Sequence, residues 1–201
     1  LYDSLKFSQV GDLYLPGSTS YRDKYLKEGF LLDGKFVGYN KVSLVVKKGN
    51  PKGVKASLNE LTNDKLNVVL GNEQSGSVGE ATKKILTKFE LYEKAISNSL
   101  YLVPDSRNLI KSIKNGEADL VLNWHATTFW DDNKEFVDAI VLDDKSSEKS
   151  KLVFNLLSTS QNKELSKKFM DYASSIEGRE IFKKYGFLDE EDMKNFDKVV
   201  F

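Results

Sequence analysis

The sequence predicts an α/β protein with a largely parallel sheet, and three observations carry that expectation. Through the middle of the chain, short apolar runs alternate with helical stretches in the order strand–helix–strand–helix–strand. Two of those runs, Val42–Val46 and Asn67–Leu70, read as buried strands. The chain of 201 residues is 40% hydrophobic and 30% charged, ordinary globular composition at a length that needs no disulfide or metal to hold a core.

Taken in order, Val10–Leu15 alternates and stops at Pro16-Gly17, a short strand ending in a turn. Ser18 or Ser20 can cap a helix through Lys27, with Gly29 just past its end. Val42–Val46 is closed by the turn Lys48-Gly49-Asn50-Pro51, and Asn67–Leu70 leads into a polar loop from Gly71 to Ser77. Val78, Ala81, Ile85 and Phe89 then fall at the spacing of one buried helix face. A second helical stretch precedes the strand Leu100–Val103, which Pro104 ends. Asp105 or Ser106 caps a helix carrying Leu109, Ile110 and Ile113, and Asn115-Gly116 stops it. Strands follow at Asp119–Leu122, Ala139–Leu142 and Leu152–Leu157, with a solvated loop from Asp143 to Ser150. The last fifty residues read as mainly helical. One stripe is Leu165, Phe169, Tyr172 and Ile176; another is Ile181, Phe182 and Tyr185.

Composition removes several functions. Thirty basic residues balance thirty acidic ones, so the chain carries no net field for nucleic acid or an anionic membrane. There is no cysteine and a single histidine, His125, which excludes thiol catalysis and histidine-rich metal sites. A Ser–His–Asp triad would have to use His125, and no Gly-x-Ser-x-Gly elbow is present. Gln74-Ser75-Gly76-Ser77-Val78-Gly79 matches neither the P-loop nor the dinucleotide fingerprint. The pairs Asp131-Asp132 and Asp143-Asp144 read as solvated turn acids rather than a cation site. No cofactor, metal or enzymatic activity is therefore expected.

What chemistry the chain offers lies in loops that follow strands and open helices: Pro16-Gly17-Ser18-Thr19-Ser20, Gln74-Ser75-Gly76-Ser77 and Pro104-Asp105-Ser106-Arg107. Each combines hydroxyls, small side chains and the free N–H groups of a helix start, which is what an anion or carboxylate needs. A fourth stretch, Asn123–Trp130, holds both tryptophans and the histidine. Asn123 and Trp124 can form a wall of a ligand cleft; the alternative is a packed corner with His125 donating to a backbone carbonyl. The candidate ligand residues are Ser18, Thr19, Ser75, Gly76, Ser77, Ser106, Arg107, Asn123 and Trp124.

In sequence order these segments resemble the periplasmic molybdate-binding protein family and its type II solute-binding relatives. Gly11-Asp12-Leu13-Tyr14-Leu15 is similar to a first-lobe strand of that family, and Val42–Val46 to the strand that crosses between lobes. Gly79-Glu80-Ala81, Asp105-Ser106-Arg107 and Gly116-Glu117-Ala118-Asp119 resemble second-lobe segments, and the tail Glu180–Phe187 is the nearest match of all. The resemblance implies a type II periplasmic-binding-protein fold of two α/β lobes on a two-strand hinge. Lobe I would take residues 1–45 and 153–201, without the family's opening strand and serine loops, and lobe II would take 46–152. It implies a periplasmic protein with its signal peptide removed, a monomer that closes by hinge motion on a molybdate- or tungstate-like oxyanion or small carboxylate in the interlobe cleft. The implied partner is the membrane permease of an ABC transporter. Asn123 stands where the molybdate binders carry a tyrosine, which separates the fold from molybdate itself. Alternatives that share the fold are the sensor domain of a receptor, the effector domain of a LysR-type regulator and, more remotely, a deaminase.

Overall fold

The computed structural model describes residues 2–143, 145–147 and 149–201; Asp144, from the second carboxylate pair, lies outside them, as do Leu1 and Glu148. The chain divides into two compact units, one comprising residues up to Tyr39 together with Ser150–Phe201 and the other Asn40–Lys149. Strand β2 (Leu31–Lys47) runs from the first into the second.

The second unit is the α/β layer that the alternation predicts. Strands β3 (Val68–Gly71), β4 (Ser99–Val103) and β5 (Leu120–Trp124) are parallel in the order β4-β3-β5, with Val69 opposite Val121. Antiparallel to them, β2 pairs β5 with Leu44 opposite Leu122, and β6 (Val137–Ile140) also pairs β2. Every residue of β3 and β5 is buried, so both faces of the sheet are covered. The covering helices are α3 (Ser77–Lys88), α4 (Tyr92–Asn98) and α5 (Ser106–Lys114). Val78, Ala81 and Ile85 form the inner face of α3, and Leu109, Ile110 and Ile113 that of α5. Burying each leucine or isoleucine of this core contributes about 1.5–3 kcal/mol. Phe89 departs from its predicted stripe: it is the residue at which α3 ends, 36% exposed.

In the first unit, β1 (Leu13–Tyr14) pairs antiparallel with β7 (Lys149–Leu157), which lies beside β2. The strand read from Val10 shrinks to two residues because Gly11 takes φ of +131° and turns the chain. Helices α1 (Tyr2–Ser8) and α2 (Ser20–Tyr25) bring tyrosines together, Tyr2 stacking on Tyr25 at 3.8 Å between centroids. A 3-10 turn, Leu26–Glu28, continues α2 and closes on Gly29 at φ of +74°. Helices α6 (Lys163–Ser174), α7 (Ile176–Lys184) and α8 (Glu190–Asn195) fill the tail, α8 opening with an Asp189–Asp192 capping box.

The tail also corrects the predicted stripes. Leu165, Phe169, Tyr172 and Ile176 are exposed at 67, 49, 48 and 74%, while Ser166, Met170 and Ala173 are buried. The helix is amphipathic, but the stripe one residue on, turned by about 100°, faces inward. Of the second stripe, Ile181 is exposed and Phe182 packs edge-on against Phe187.

Candidate functional site

Two of the predicted loops meet in the second unit. The loop after β3 turns on Asn72, whose Oδ1 accepts from Gln74 N at 2.8 Å and whose carbonyl accepts from Ser75 N and Oγ at 3.2 Å. Asn72 N donates to Val103 O at 2.8 Å, tying this loop to the end of β4. Gly76 then approaches Pro104 so closely that a Cβ would stand 2.9 Å from the Pro104 carbonyl oxygen. The starts of α3 and α5 are thereby held side by side at the C-terminal ends of β3 and β4, the position that ligands take in open α/β sheets.

The two helix starts are capped differently. Asp105 caps α5, its carboxylate accepting from Asn108 N at 2.9 Å, so that helix end already holds a negative charge. Gly76 precedes α3 in extended conformation and supplies no side-chain cap. The N–H groups of Ser77 and Val78 take no hydrogen bond among the described residues, nor do the hydroxyls of Ser77 and Ser106. The open donors of the site are therefore on α3 and at Ser106, with Ser75 exposed beside them and its hydroxyl proton engaged by Asn72. On the flank of α3, Glu73 accepts from Tyr92 Oη at 3.0 Å and pairs with Lys83 at 2.7 Å. Those two donors hold its carboxyl below the usual carboxylate range, while burial and Glu73 push Tyr92 up to about 12.

Asn123 and Trp124 sit behind this surface. Asn123 is fully buried in β5; its Nδ2 donates to Ser106 O at 3.1 Å and its Oδ1 accepts from Trp124 N at 2.8 Å. It fastens the start of α5 to the sheet. Trp124 belongs to the main hydrophobic core, 6% exposed. Opposite Asn123 on β2 lies Ser43, whose buried hydroxyl has no hydrogen-bond partner among the described residues; nothing in the one-dimensional pattern of Val42–Val46 marks it. Arg107 lines a groove with Trp130 on the α5 surface. Ser18 and Thr19 belong to the first unit, where Ser18 Oγ accepts from Ser20 N at 3.2 Å and Thr19 O accepts from Asp23 N at 2.9 Å. The first unit also contains a feature that sequence reading missed. Arg22 reaches Asn155 and the carbonyl of Leu32 at the edge of a pocket of about 450 Å³, where Gly34 leaves room for its guanidinium.

His125 opens the 3-10 turn His125–Phe129 and packs on the edge of Phe129 at 5.1 Å. Its Nδ1 is buried without a hydrogen-bond partner among the described residues. Burial, and the charge of Lys41, hold its pKa below the ordinary 6.5. The folded state thus binds its proton less readily than the unfolded chain. This contribution to stability is complete above the unfolded pKa and is lost as pH falls through that value towards the folded one. Wild-type stability to urea is expected to fall as pH drops below about 6.5, and His125→Gln to remove that limb.

The profile of bacterial extracellular solute-binding proteins matches residues 1–188. The chain belongs to that family. Solved structures of the type II periplasmic-binding-protein fold resemble it throughout. The molybdate-binding protein of Azotobacter vinelandii is 18% identical with a TM-score of 0.71, covering 89% of this chain and 78% of its own. Peb3 from Campylobacter jejuni is 21% identical with a TM-score of 0.70, over 94% and 83%. The sulfate-binding protein SubI of Mycobacterium tuberculosis H37Rv is 14% identical with a TM-score of 0.75, over 98% and 76%. No curated protein matches the chain. The molybdate-binder-like resemblance read from the sequence holds, as does the fold class, and the family is one of binding proteins rather than enzymes.

Proposed function

We propose that this protein is the periplasmic capture component of an ABC-type uptake system and binds a small anion, an oxyanion of the molybdate or sulfate type or a small carboxylate. The uncapped first turn of α3 carries this reading. Backbone donors at Ser77 and Val78 and the hydroxyls of Ser77 and Ser106 lie on adjoining loops where no side chain caps the start of α3, Glu80 being the one acidic residue of its first turn. Their chemistry suits an anion held by neutral donors, without a counter-cation. Gly76 admits the close approach, and Asn123 keeps the α5 start in place. Ser75 forms the exposed rim. The solute-binding family implies a membrane permease as partner, and the captured state is proposed to be monomeric.

Thermal melting against molybdate, tungstate, sulfate, phosphate, thiamine phosphates and amino acids tests this directly. At a hundredfold excess over Kd the bound anion adds about 2.7 kcal/mol, a rise of about 5–10 °C for a chain of this length. Ser77→Ala combined with Ser106→Ala is expected to abolish the rise while leaving the unliganded melt within about 1 °C, since neither hydroxyl has a partner among the described residues. An unchanged melt with every ligand, or a rise that survives the double variant, would overturn the assignment.

A further inference from the structure

A groove of about 490 Å³ runs along α5 in the second unit. One wall is cationic. Arg107, Lys111 and Lys114 stand at i, i+4 and i+7, on one face of the helix and spread along about 10 Å of its axis. The other wall is Trp130, half-buried, whose indole N–H has no hydrogen-bond partner among the described residues. The floor is Ile110, 3% exposed.

The charges are not consumed locally. Arg107 and Lys111 make no ion pair or hydrogen bond among the described residues, although Glu117 lies within electrostatic range of Lys111. Lys114, which also lines the groove, is held in place, donating to the Asp132 carbonyl at 2.7 Å and lying over the Phe136 ring at 4.7 Å. The Asp132 carboxylate, at the rim, offsets one of the three. Three cations against one lining carboxylate leave an excess of positive charge beside an aromatic ring.

We infer that this groove docks an extended acidic peptide segment of a partner protein. In an extended segment, side chains two residues apart point the same way at about 6.6 Å, which matches the roughly 6 Å between helix positions i and i+4. Carboxylates at alternate positions reach Arg107 and Lys111, and an apolar residue of the segment rests on Ile110 and Trp130. All three cations that wall the groove are solvent-exposed. That favours a segment laid across it over a small ligand, which a site would enclose over most of its surface. The inference is independent of the anion site on α3.

The test is fluorescence titration of the full chain with a synthetic peptide of alternating glutamate and phenylalanine, against the same peptide with glutamine for glutamate. Trp124 is buried in the core, so Trp130 is the reporting tryptophan. The acidic peptide is expected to change the emission saturably and the glutamine peptide not at all. Binding should weaken with salt, and Lys111→Glu, at an exposed position, should weaken it about tenfold or more with melting unchanged. Anisotropy of a labelled acidic peptide should show Trp130→Phe weakening binding as well. Equal binding of both peptides, no effect of Lys111→Glu, or saturable binding of inorganic pyrophosphate in place of the peptide would each overturn the inference.

Discussion

Gly79→Ala is expected to lower the unfolding free energy by about 3 kcal/mol and to remove the anion-induced rise in melting temperature. A Cβ on Gly79 would stand 2.0 Å from the Asn72 carbonyl oxygen, 2.3 Å from its carbon and 2.7 Å from Glu73 N. All three are backbone atoms of the loop that turns out of β3, and none can swing aside as a side-chain tip does. Across the same contact, Gly71 brings its own bare backbone to within 3.1–3.2 Å of Gly79 N and Cα, measured from where its Cβ would be. The two glycines let the first turn of α3 rest directly on the end of the strand. Adding one methyl must either lift the helix start or open the Asn72 turn, and both move the donors of Ser77 and Val78. Gly49→Ala makes the control: its site is open space, and the only penalty is a left-handed φ of +79°. That costs about 1–2 kcal/mol and leaves the anion response intact. Urea unfolding of both variants decides the matter; equal losses would mean that the helix–strand approach is not tight.

The alternation of elements was legible because β3, β4, α5 and β5 are each bounded by strong punctuation, Pro104, Asp105 and Gly116 among them. Local chemistry decides such boundaries. The long β2 was harder. Its half from Leu31 to Tyr39 includes Asp33, Gly34, Lys35 and Gly38, poor strand residues by propensity. They are tolerated because Arg22, Val153 and Phe201 crowd Gly34, and the Phe187 backbone crowds Gly38. Those neighbours are distant in sequence, so no local pattern announces them. The α6 stripe shows a related limit. Period alone groups Leu165 with Phe169 and Tyr172, but which stripe faces inward depends on what packs there, and Met170 and Ala173 won.

The candidate site was legible as loop chemistry and illegible as division of labour. Hydroxyl-rich loops at helix starts can be read from residue types, and Ser75–Ser77 and Ser106 do lie on adjoining loops. That Asp105 caps one helix start while the other has no side-chain cap needs the actual cap hydrogen bond. That Asn123 is a buried tie and Trp124 a core residue follows from β5 having both faces covered, a property of the sheet rather than of the sequence around them.

Asn123→Leu should prove the other severe substitution, with a loss of about 2–4 kcal/mol. The side chain satisfies two backbone groups at once, the Ser106 carbonyl and the Trp124 N–H, in a position with no solvent access. Leucine conserves volume and leaves both groups without their partner, each a desolvation penalty at a position closed to solvent. Asn123→Asp separates the two roles. Its carboxylate still accepts from Trp124 N but faces the Ser106 carbonyl oxygen with like polarity and sets a buried negative charge behind the anion donors. Burial and that carbonyl raise the folded-state pKa of the new carboxyl above the unfolded value of about 3.9, since only the protonated acid can donate to Ser106 O. Its deficit should therefore be smallest below the unfolded pKa and grow as pH rises through the folded one. The Leu variant should show the same deficit at every pH. Unfolding free energies of the two variants measured across that range, beside wild type, test the tie itself: parallel curves would mean that the hydrogen bond to Ser106 does not hold the start of α5.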